Sequence, residues 1–456
     1  MISAILASVS GALLILVFPK PNIYWLAYVA LVPLFVSIRR SSSVDEAGSC
    51  GFLCGMIYFG GTLYWINVLS KWAGSWAILA WVALVIFQAL FISAFAAAYK
   101  YGLIKYPRHT MIVAPLLWAL IEWIRSLGPY GVTGGGLGYS QADLLPVLQI
   151  ASLFGTYGIS FLIVLVNEAA TEAIVEKKWK NLAAAALVFL LCAGLGYYRI
   201  SSYRQSGREL SVAVIQPDIA QDVKLDYGLA YEITDTHEII SRKALEEKPD
   251  IVIWPETAVT TYLFESNRIL PKVKALIRDS HAFYLIGTPY REKSKIYNSL
   301  AAFSKNGELI GRYDKQRLVA FGEYLPLRPL FYRMLQENPL FAEDYNSNPD
   351  PKVIDLGIVK VGAVICFEST FPYLVRDKVR KGAQFILVVT NDAWFFDTAA
   401  LYQHIQAARL RAVESNMYVV QAANTGLSAI IDPLGRVVKR SDSGRATILL
   451  GKIYVH

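Results

Sequence analysis

Three side chains of different chemistry stand just past apolar, β-branched runs. Glu256 follows Ile251-Val-Ile-Trp-Pro, Lys315 follows Leu309-Ile-Gly-Arg-Tyr-Asp, and Cys366 follows Val361-Gly-Ala-Val-Ile. Short runs of this kind read as buried strands, and in α/β folds the carboxyl ends of strands are where loops converge on one crevice. A thiol, a carboxylate and an ammonium gathered there could perform acyl chemistry: the thiolate attacks a carbonyl carbon, the carboxylate takes the thiol proton, and the cation stabilises the oxyanion. Read alone, Cys366 has a second account as a small buried hydrophobe, the commonest fate of a lone cysteine. Of the four cysteines, Cys50, Cys54, Cys192 and Cys366, it alone lies outside the apolar first half, so it has no disulfide partner in its own domain. A free thiol has a pKa of about 8.5 and needs an activating group. Histidine is the usual one, yet none of His109, His237, His281, His404 and His456 sits in a local signature of that chemistry. His404, after the Trp394-Phe-Phe loop, is the one candidate, and packing on a helix face accounts for it more simply. The second half has no His-x-x-x-His or Cys-x-x-Cys pair to hold a metal.

The elements that must position these groups follow from the pattern between them. Ser211–Ile215, Ile251–Trp254, Phe283–Ile286, Lys360–Ile365 and Phe385–Val389 read as buried strands. Amphipathic stretches at Ala230–Glu247, Arg268–Ser280 and Ala399–Glu414 read as helices, which makes an α/β domain. Ser428–Ile431, Val437–Lys439 and Ala446–Leu450 alternate like antiparallel strands closing one edge.

The first half is of another kind. The chain of 456 residues is 55% hydrophobic and 18% charged, with mean hydropathy +0.38, and most long uncharged runs fall before about Ile200. This excludes a wholly soluble protein, and the aromatic content excludes low-complexity disorder. Seven stretches reach toward the 17 to 25 residues that cross a bilayer: Ile2–Phe18, Ile23–Ile38, Gly51–Leu69, Trp76–Tyr99, Met111–Ile124, Leu148–Val166 and Leu182–Tyr198. The first reads as an uncleaved span, because no basic segment precedes it. One set of alternate loops holds Arg39, Arg40, Lys100, Lys105, Arg108, Lys177, Lys178 and Lys180, and the other only Lys20, Lys71 and Arg125. By the positive-inside rule the N-terminus is cytoplasmic and, after seven crossings, the second half lies outside. The net charge of +8 is absorbed by these loops, and no Lys/Arg stripe suggests nucleic acid. Glu122 is the one charge expected inside a span, with Arg125 at i+3 as its expected partner near the outer end. Gly131-Val-Thr-Gly-Gly-Gly-Leu-Gly138 lacks the lysine of a phosphate loop and reads as an ordered external loop packing under the second domain.

Taken together, Trp254-Pro-Glu-Thr-Ala258, Tyr313-Asp-Lys-Gln-Arg-Leu-Val-Ala-Phe-Gly-Glu-Tyr-Leu-Pro326, Cys366-Phe-Glu368 and Thr390-Asn-Asp-Ala-Trp-Phe395 resemble the nitrilase, or carbon–nitrogen hydrolase, superfamily. Within it the chain closely resembles the apolipoprotein N-acyltransferase family. The likeness extends to Glu122-Trp-Ile-Arg125, Gly138-Tyr-Ser-Gln141, Gln216-Pro-Asp-Ile-Ala-Gln-Asp-Val-Lys224, Gly287-Thr-Pro289, Tyr297-Asn-Ser299, Arg411-Ala-Val-Glu414 and Asn424-Thr-Gly426. The resemblance implies a multi-span helical membrane domain over residues 1–199 and an extracytoplasmic nitrilase-like α-β-β-α sandwich over 200–456. It implies a bacterial plasma (inner) membrane location with the sandwich on the periplasmic side. It further implies a Glu256, Lys315, Cys366 triad supported by Glu323 and Glu368, with substrate contacts from Phe367, Trp394, Asn391, Phe331 and Phe341. The implied reaction passes an acyl chain from a phospholipid, phosphatidylethanolamine by expectation, through a Cys366 thioester to the α-amino group of a lipoprotein's diacylglyceryl-cysteine. It needs no metal or organic cofactor, since the ester is already activated. Leu325–Tyr345 and Trp394–Phe396 are the expected apolar arms at the membrane surface. The chain departs from the family at Leu225, where Trp is common, and at Phe367, where Tyr is frequent. The family also usually adds a span after the stretch that corresponds to Thr447–His456. A membrane-anchored amidase would use the same three groups on a small amide. A transporter with an accessory domain ranks last, because it needs more charge inside the spans than Glu122.

Overall fold

Alternation along the strands decides the architecture of the second half. In β1 (Arg208–Gln216), Val212 and Val214 face one way and Ala213 and Ile215 the other, and both sets are buried. A strand apolar on both faces must be covered on both. The computed structural model describes residues 1–329, 332 and 343–456, and places β1 among β2 (Ile251–Ile253), β3 (Phe283–Glu292), β4 (Lys295–Phe303), β5 (Leu309–Asp314) and, at the far end of the chain, β12 (Thr447–Val455). Their order is β12-β1-β2-β3-β4-β5, parallel through β1, β2 and β3 and antiparallel elsewhere. A second sheet runs β11 (Val437–Arg440), β10 (Ala429–Ile431), β9 (Val419–Ala423), β8 (Phe385–Thr390), β7 (Lys360–Ile365), β6 (Ile354–Asp355), parallel through β7, β8 and β9.

Val212, Val214, Ile253 and Leu285 of the first sheet share one core with Ala363, Ile365, Leu387 and Val389 of the second. The other face of the first sheet, including Trp254, Tyr284 and Ile286, packs on Val273, Leu276 and Ile277 of the helix Ile269–Ser280 and on Ala230 and Ala244 of the helix Ala230–Ala244. This is the expected α-β-β-α sandwich. The closing strands depart from expectation: β10 and β11 end the second sheet, whereas β12 crosses to the first and pairs along the whole of β1. Alternation reveals a strand with one solvated face but not which sheet supplies its partner.

The chain separates into two compact units, Met1–Tyr203 with Thr398–Gln406, and Arg204–Asp397 with Ala407–His456. In the first, the seven expected spans meet shorter elements. Ser75–Lys105, Ala151–Glu176 and Trp179–Ser202 are long and apolar enough to cross a membrane among the described residues, and Val44–Thr62 with Tyr64–Ala73, bent by 55°, makes a fourth if the pair is one span. Ile2–Val17 and Thr110–Arg125 have 16 residues each, about 24 Å of helix against a core of about 30 Å. Ile23–Ile38 is divided, because Pro33 starts a new helix, Val32–Arg40, after the 3-10 turn Tyr24–Tyr28.

Two charge expectations are corrected. Glu122 does not pair with Arg125: its carboxylate accepts from Trp118 Nε1 at 2.9 Å, Leu137 N at 2.8 Å and Ser160 Oγ at 2.6 Å, while Arg125 donates to Gln88 and to the Gly134 carbonyl. Spacing on one helix cannot reveal acceptors on another. The Gly-rich loop is thereby tied to the helical unit itself, with Tyr58 donating to the Gly135 carbonyl. Nor is Glu122 alone. The expected sixth span continues to Glu176, and this brings in Glu168, fully buried and gripped by both terminal nitrogens of Arg39 at 2.6 and 3.2 Å.

Gly287 is where the sandwich bears most directly on the candidate chemistry. A Cβ there would lie 2.1 Å from the Pro255 carbonyl oxygen and 2.8 Å from Glu256 Cα, so β3 can approach the Glu256 segment only without a side chain. Gly287→Ala should cost about 1–3 kcal/mol of stability, read as a lower unfolding midpoint in detergent, and should reduce turnover at least tenfold by displacing Glu256. Unchanged turnover would show that the segment has slack.

Candidate active site

The three strand ends converge within the second unit. Lys315 is the residue after β5, and its N–H bonds the Asn298 carbonyl of neighbouring β4. Its ammonium, 1% exposed, sits 2.9 Å from Glu323 Oε1 and 3.4 Å from Glu256 Oε1. Asn298 Nδ2 bridges the same two oxygens, at 2.8 Å to Glu323 and 2.7 Å to Glu256. The remaining oxygens are also held: Glu256 Oε2 accepts from the Asn391 backbone at 2.8 Å, and Glu323 Oε2 from the Val319 backbone at 2.9 Å. Burial alone would drive Lys315 toward the neutral amine, but Glu323 and then Glu256 outweigh it and hold the ammonium well above the ordinary lysine range. Lys315 is therefore a fixed cation and not a proton acceptor.

Cys366 directly follows β7 and has φ 55°, in the left-handed region that a residue with a side chain rarely adopts. The chain turns there into the short 3-10 helix Cys366–Thr370. Glu368 sets that turn. Fully buried, it accepts from the Ile365 backbone and the Tyr313 hydroxyl through Oε2, and from the Gln316 and Arg317 backbones through Oε1, all at 2.7–2.9 Å. The carboxylate thus ties the cysteine turn to the residues following Lys315. Burial, and then Glu256, push the Cys366 thiol above its ordinary range, while Lys315 and a hydrogen bond with Thr390 pull it down. The net upward shift means that the resting group is the thiol, and attack requires a base in place.

The other expected site residues divide. Asn391 is buried, with its N–H on Glu256. Phe367 packs edge-on against Phe371 at 4.9 Å, and Trp394 is half-buried on the turn Asp392–Phe395. Phe331 and Phe341 lie outside the described residues, as does most of the arm expected over Leu325–Tyr345. His404 is buried on the helix Ala399–Ser415. Asn298, Gln221 and Lys224 belong to the motifs Tyr297–Ser299 and Gln216–Lys224, but the sequence assigns them no role. For Asn298 the available signal is an amide just ahead of the apolar run Leu300–Phe303.

Two family models match the chain: residues 10–169 fit the apolipoprotein N-acyltransferase N-terminal domain, and residues 211–455 fit carbon-nitrogen hydrolase. An apolipoprotein N-acyltransferase of Geobacter metallireducens is 33% identical over 467 residues, covering 98% of this chain and 89% of the relative. One from Aquifex aeolicus is 34% identical over 448 residues, covering 97% and 96%. Among solved structures, an amidase of Nesterenkonia from the nitrilase superfamily aligns at 17% identity with TM-score 0.43, covering 55% of this chain and 92% of that one.

The charge balance at Cys366 has a measurable pH signature. Because the thiol is raised, the thiolate fraction should keep rising through the ordinary value of about 8.5, so alkylation of Cys366 by iodoacetamide should accelerate about tenfold per pH unit from 7 to beyond 9. Lys315→Met, which removes a stabilising cation, should be slower at every pH. A plateau below pH 8 would mean that the thiolate is already formed.

Proposed function

Because the chain belongs to the apolipoprotein N-acyltransferase family, we propose that Cys366, Glu256 and Lys315 carry its acyl transfer from phospholipid to the N-terminus of lipoproteins. The observation that carries the assignment is a single buried ammonium held between Glu256 and Glu323, beside a thiol aimed by a left-handed turn. Glu256 is the proton acceptor, since Lys315 stays charged. Glu323 and Glu368 are positioning groups, one holding Lys315 and the other the cysteine turn.

In the first half-reaction Cys366 Sγ attacks the ester carbonyl carbon as its proton passes to Glu256. The oxyanion of the tetrahedral intermediate forms beside Lys315, an interaction worth about 3–4 kcal/mol for one well-placed donor. Collapse breaks the ester C–O bond, Glu256 returns the proton to the departing lysophospholipid, and a thioester remains. In the second, an α-amino group of pKa near 8 attacks the thioester and its proton goes to Glu256. Collapse breaks the C–S bond, and Cys366 recovers its proton from Glu256. Phosphatidylethanolamine is the proposed donor and a diacylglyceryl-cysteine N-terminus the proposed acceptor. Phe367, Asn391 and Trp394 are proposed to line the substrate, and water excluded by lipid would spare the thioester from hydrolysis.

Orientation follows from the eight-to-three bias of Lys and Arg between alternate loops. The catalytic unit is proposed to face the periplasm from the bacterial inner membrane, with the shorter apolar helices completing the crossings. Residues 1–199 are proposed as the membrane domain and 200–456 as the catalytic one.

Protein incubated with phosphatidylethanolamine and no acceptor should gain one acyl mass on Cys366, removed by a diacylated lipopeptide with a free amine. Cys366→Ser should retain the fold and gain none, and full transfer by that variant would refute the nucleophile. In a separate experiment, single cysteines introduced at Lys178 and Ser304 should react with a membrane-impermeant maleimide only from the cytoplasmic and the external face, respectively. The reverse pattern would invert the topology.

A further inference from the structure

Two buried polar side chains that take no part in these steps reach the Glu256 segment from one short helix, Gln221–Leu225. Lys224 is 4% exposed, and its Nζ donates to two successive backbone carbonyls, Glu256 O at 3.1 Å and Thr257 O at 2.8 Å. Gln221 is 5% exposed, and its Oε1 accepts from Asn391 Nδ2 at 2.8 Å. Asn391 in turn places its backbone N–H on Glu256 Oε2, and its side-chain oxygen accepts from Asn424 at 2.9 Å. With both ends of its amide engaged, Asn391 has one orientation. The helix therefore holds Glu256 twice, through the main chain by Lys224 and through the carboxylate by Gln221 and Asn391.

The local backbone explains why a lysine is buried there. Thr257 has φ 46°, a left-handed conformation costing about 1–2 kcal/mol for a residue with a Cβ. Two carbonyls in that turn are withdrawn from water and require donors. One amine supplies several N–H groups from a single atom. Burial lowers Lys224 to about 7, against the opposing pull of Glu256, and a neutral amine still has the two N–H groups that the two carbonyls need.

We propose that Lys224 and Gln221 are positioning residues for the proton acceptor: the helix Gln221–Leu225 sets where the Glu256 carboxylate stands, and with it the rate of both half-reactions. This rests on the reading of Glu256 as the base. Neither side chain need touch substrate, so the expected signature is a loss in kcat with KM unchanged.

The test uses full-length protein in detergent, with Cys366 acylation followed from a short soluble ester and discharge followed with a lipopeptide amine. Lys224→Met keeps the chain length and removes the donors, and Gln221→Met removes the acceptor. Each should slow acylation and discharge 10- to 100-fold, with KM within twofold. In a Glu256→Gln background neither should slow the reaction further, because the group they position is gone. Lys224→Arg, which retains N–H donors, should recover part of the rate. Should Lys224→Met fail to fold, Gln221→Met decides alone. Wild-type kcat in the single variants, a change confined to KM, or a full additional loss in the Glu256→Gln background would each overturn the positioning role. Full activity of Glu256→Gln itself would instead remove the base assignment.

Discussion

Everything at this site depends on keeping one ammonium charged where water cannot reach it. An isolated buried cation would shed its proton rather than bear the desolvation cost. Lys315 keeps it because Glu323 stands 2.9 Å and Glu256 3.4 Å from its ammonium. The same two carboxylates would repel each other without the ammonium and the Asn298 amide between them. Removing Lys315 leaves two buried carboxylates without their counterpart, a kind of loss that typically costs about 3–5 kcal/mol. The cluster is consequently a structural unit as well as a chemical one.

The fold supplies the members from separate strands so that each can be aimed on its own. Lys315 follows β5, Asn298 is within β4, Glu256 lies three residues past β2, and Cys366 follows β7 of the other sheet. Glu368 links the cysteine turn to the segment after Lys315 by accepting from backbone on both sides. Four donors on one carboxylate fix the cysteine turn more firmly than loop packing could. They also account for a fully buried acid that makes no ion pair among the described residues.

The sequence reveals the strand ends because β-branched runs terminate sharply at Glu256 and Cys366. It reveals less where a polar residue acts through a neighbour. Asn298 lies in no strand expected from the sequence, and only the folded contacts show that it meets two carboxylates at once. Lys224 and Gln221 lie in a stretch whose hydrophobic pattern is too short to announce a helix. In the helical unit, Glu168 lies two residues past Val166, where the apolar run of its helix stops, so the sequence does not mark it as part of the span. Glu122 is legible as a charge in an apolar run, but two of its three partners, Leu137 N and Ser160 Oγ, come from other segments. Polar contacts between distant segments leave no periodic trace, whereas apolar faces do.

The Arg39–Glu168 pair carries a consequence for biogenesis. Its members are 129 residues apart, and both are withdrawn from solvent. A charged side chain within a span costs up to about 3 kcal/mol at insertion. The helix bearing Glu168 leaves the ribosome long after Arg39 has been made, so its carboxylate can be matched as soon as it enters the bilayer, provided the earlier helices have remained beside the translocon. Chain order therefore has the arginine synthesised 129 residues before the acid that it pairs with.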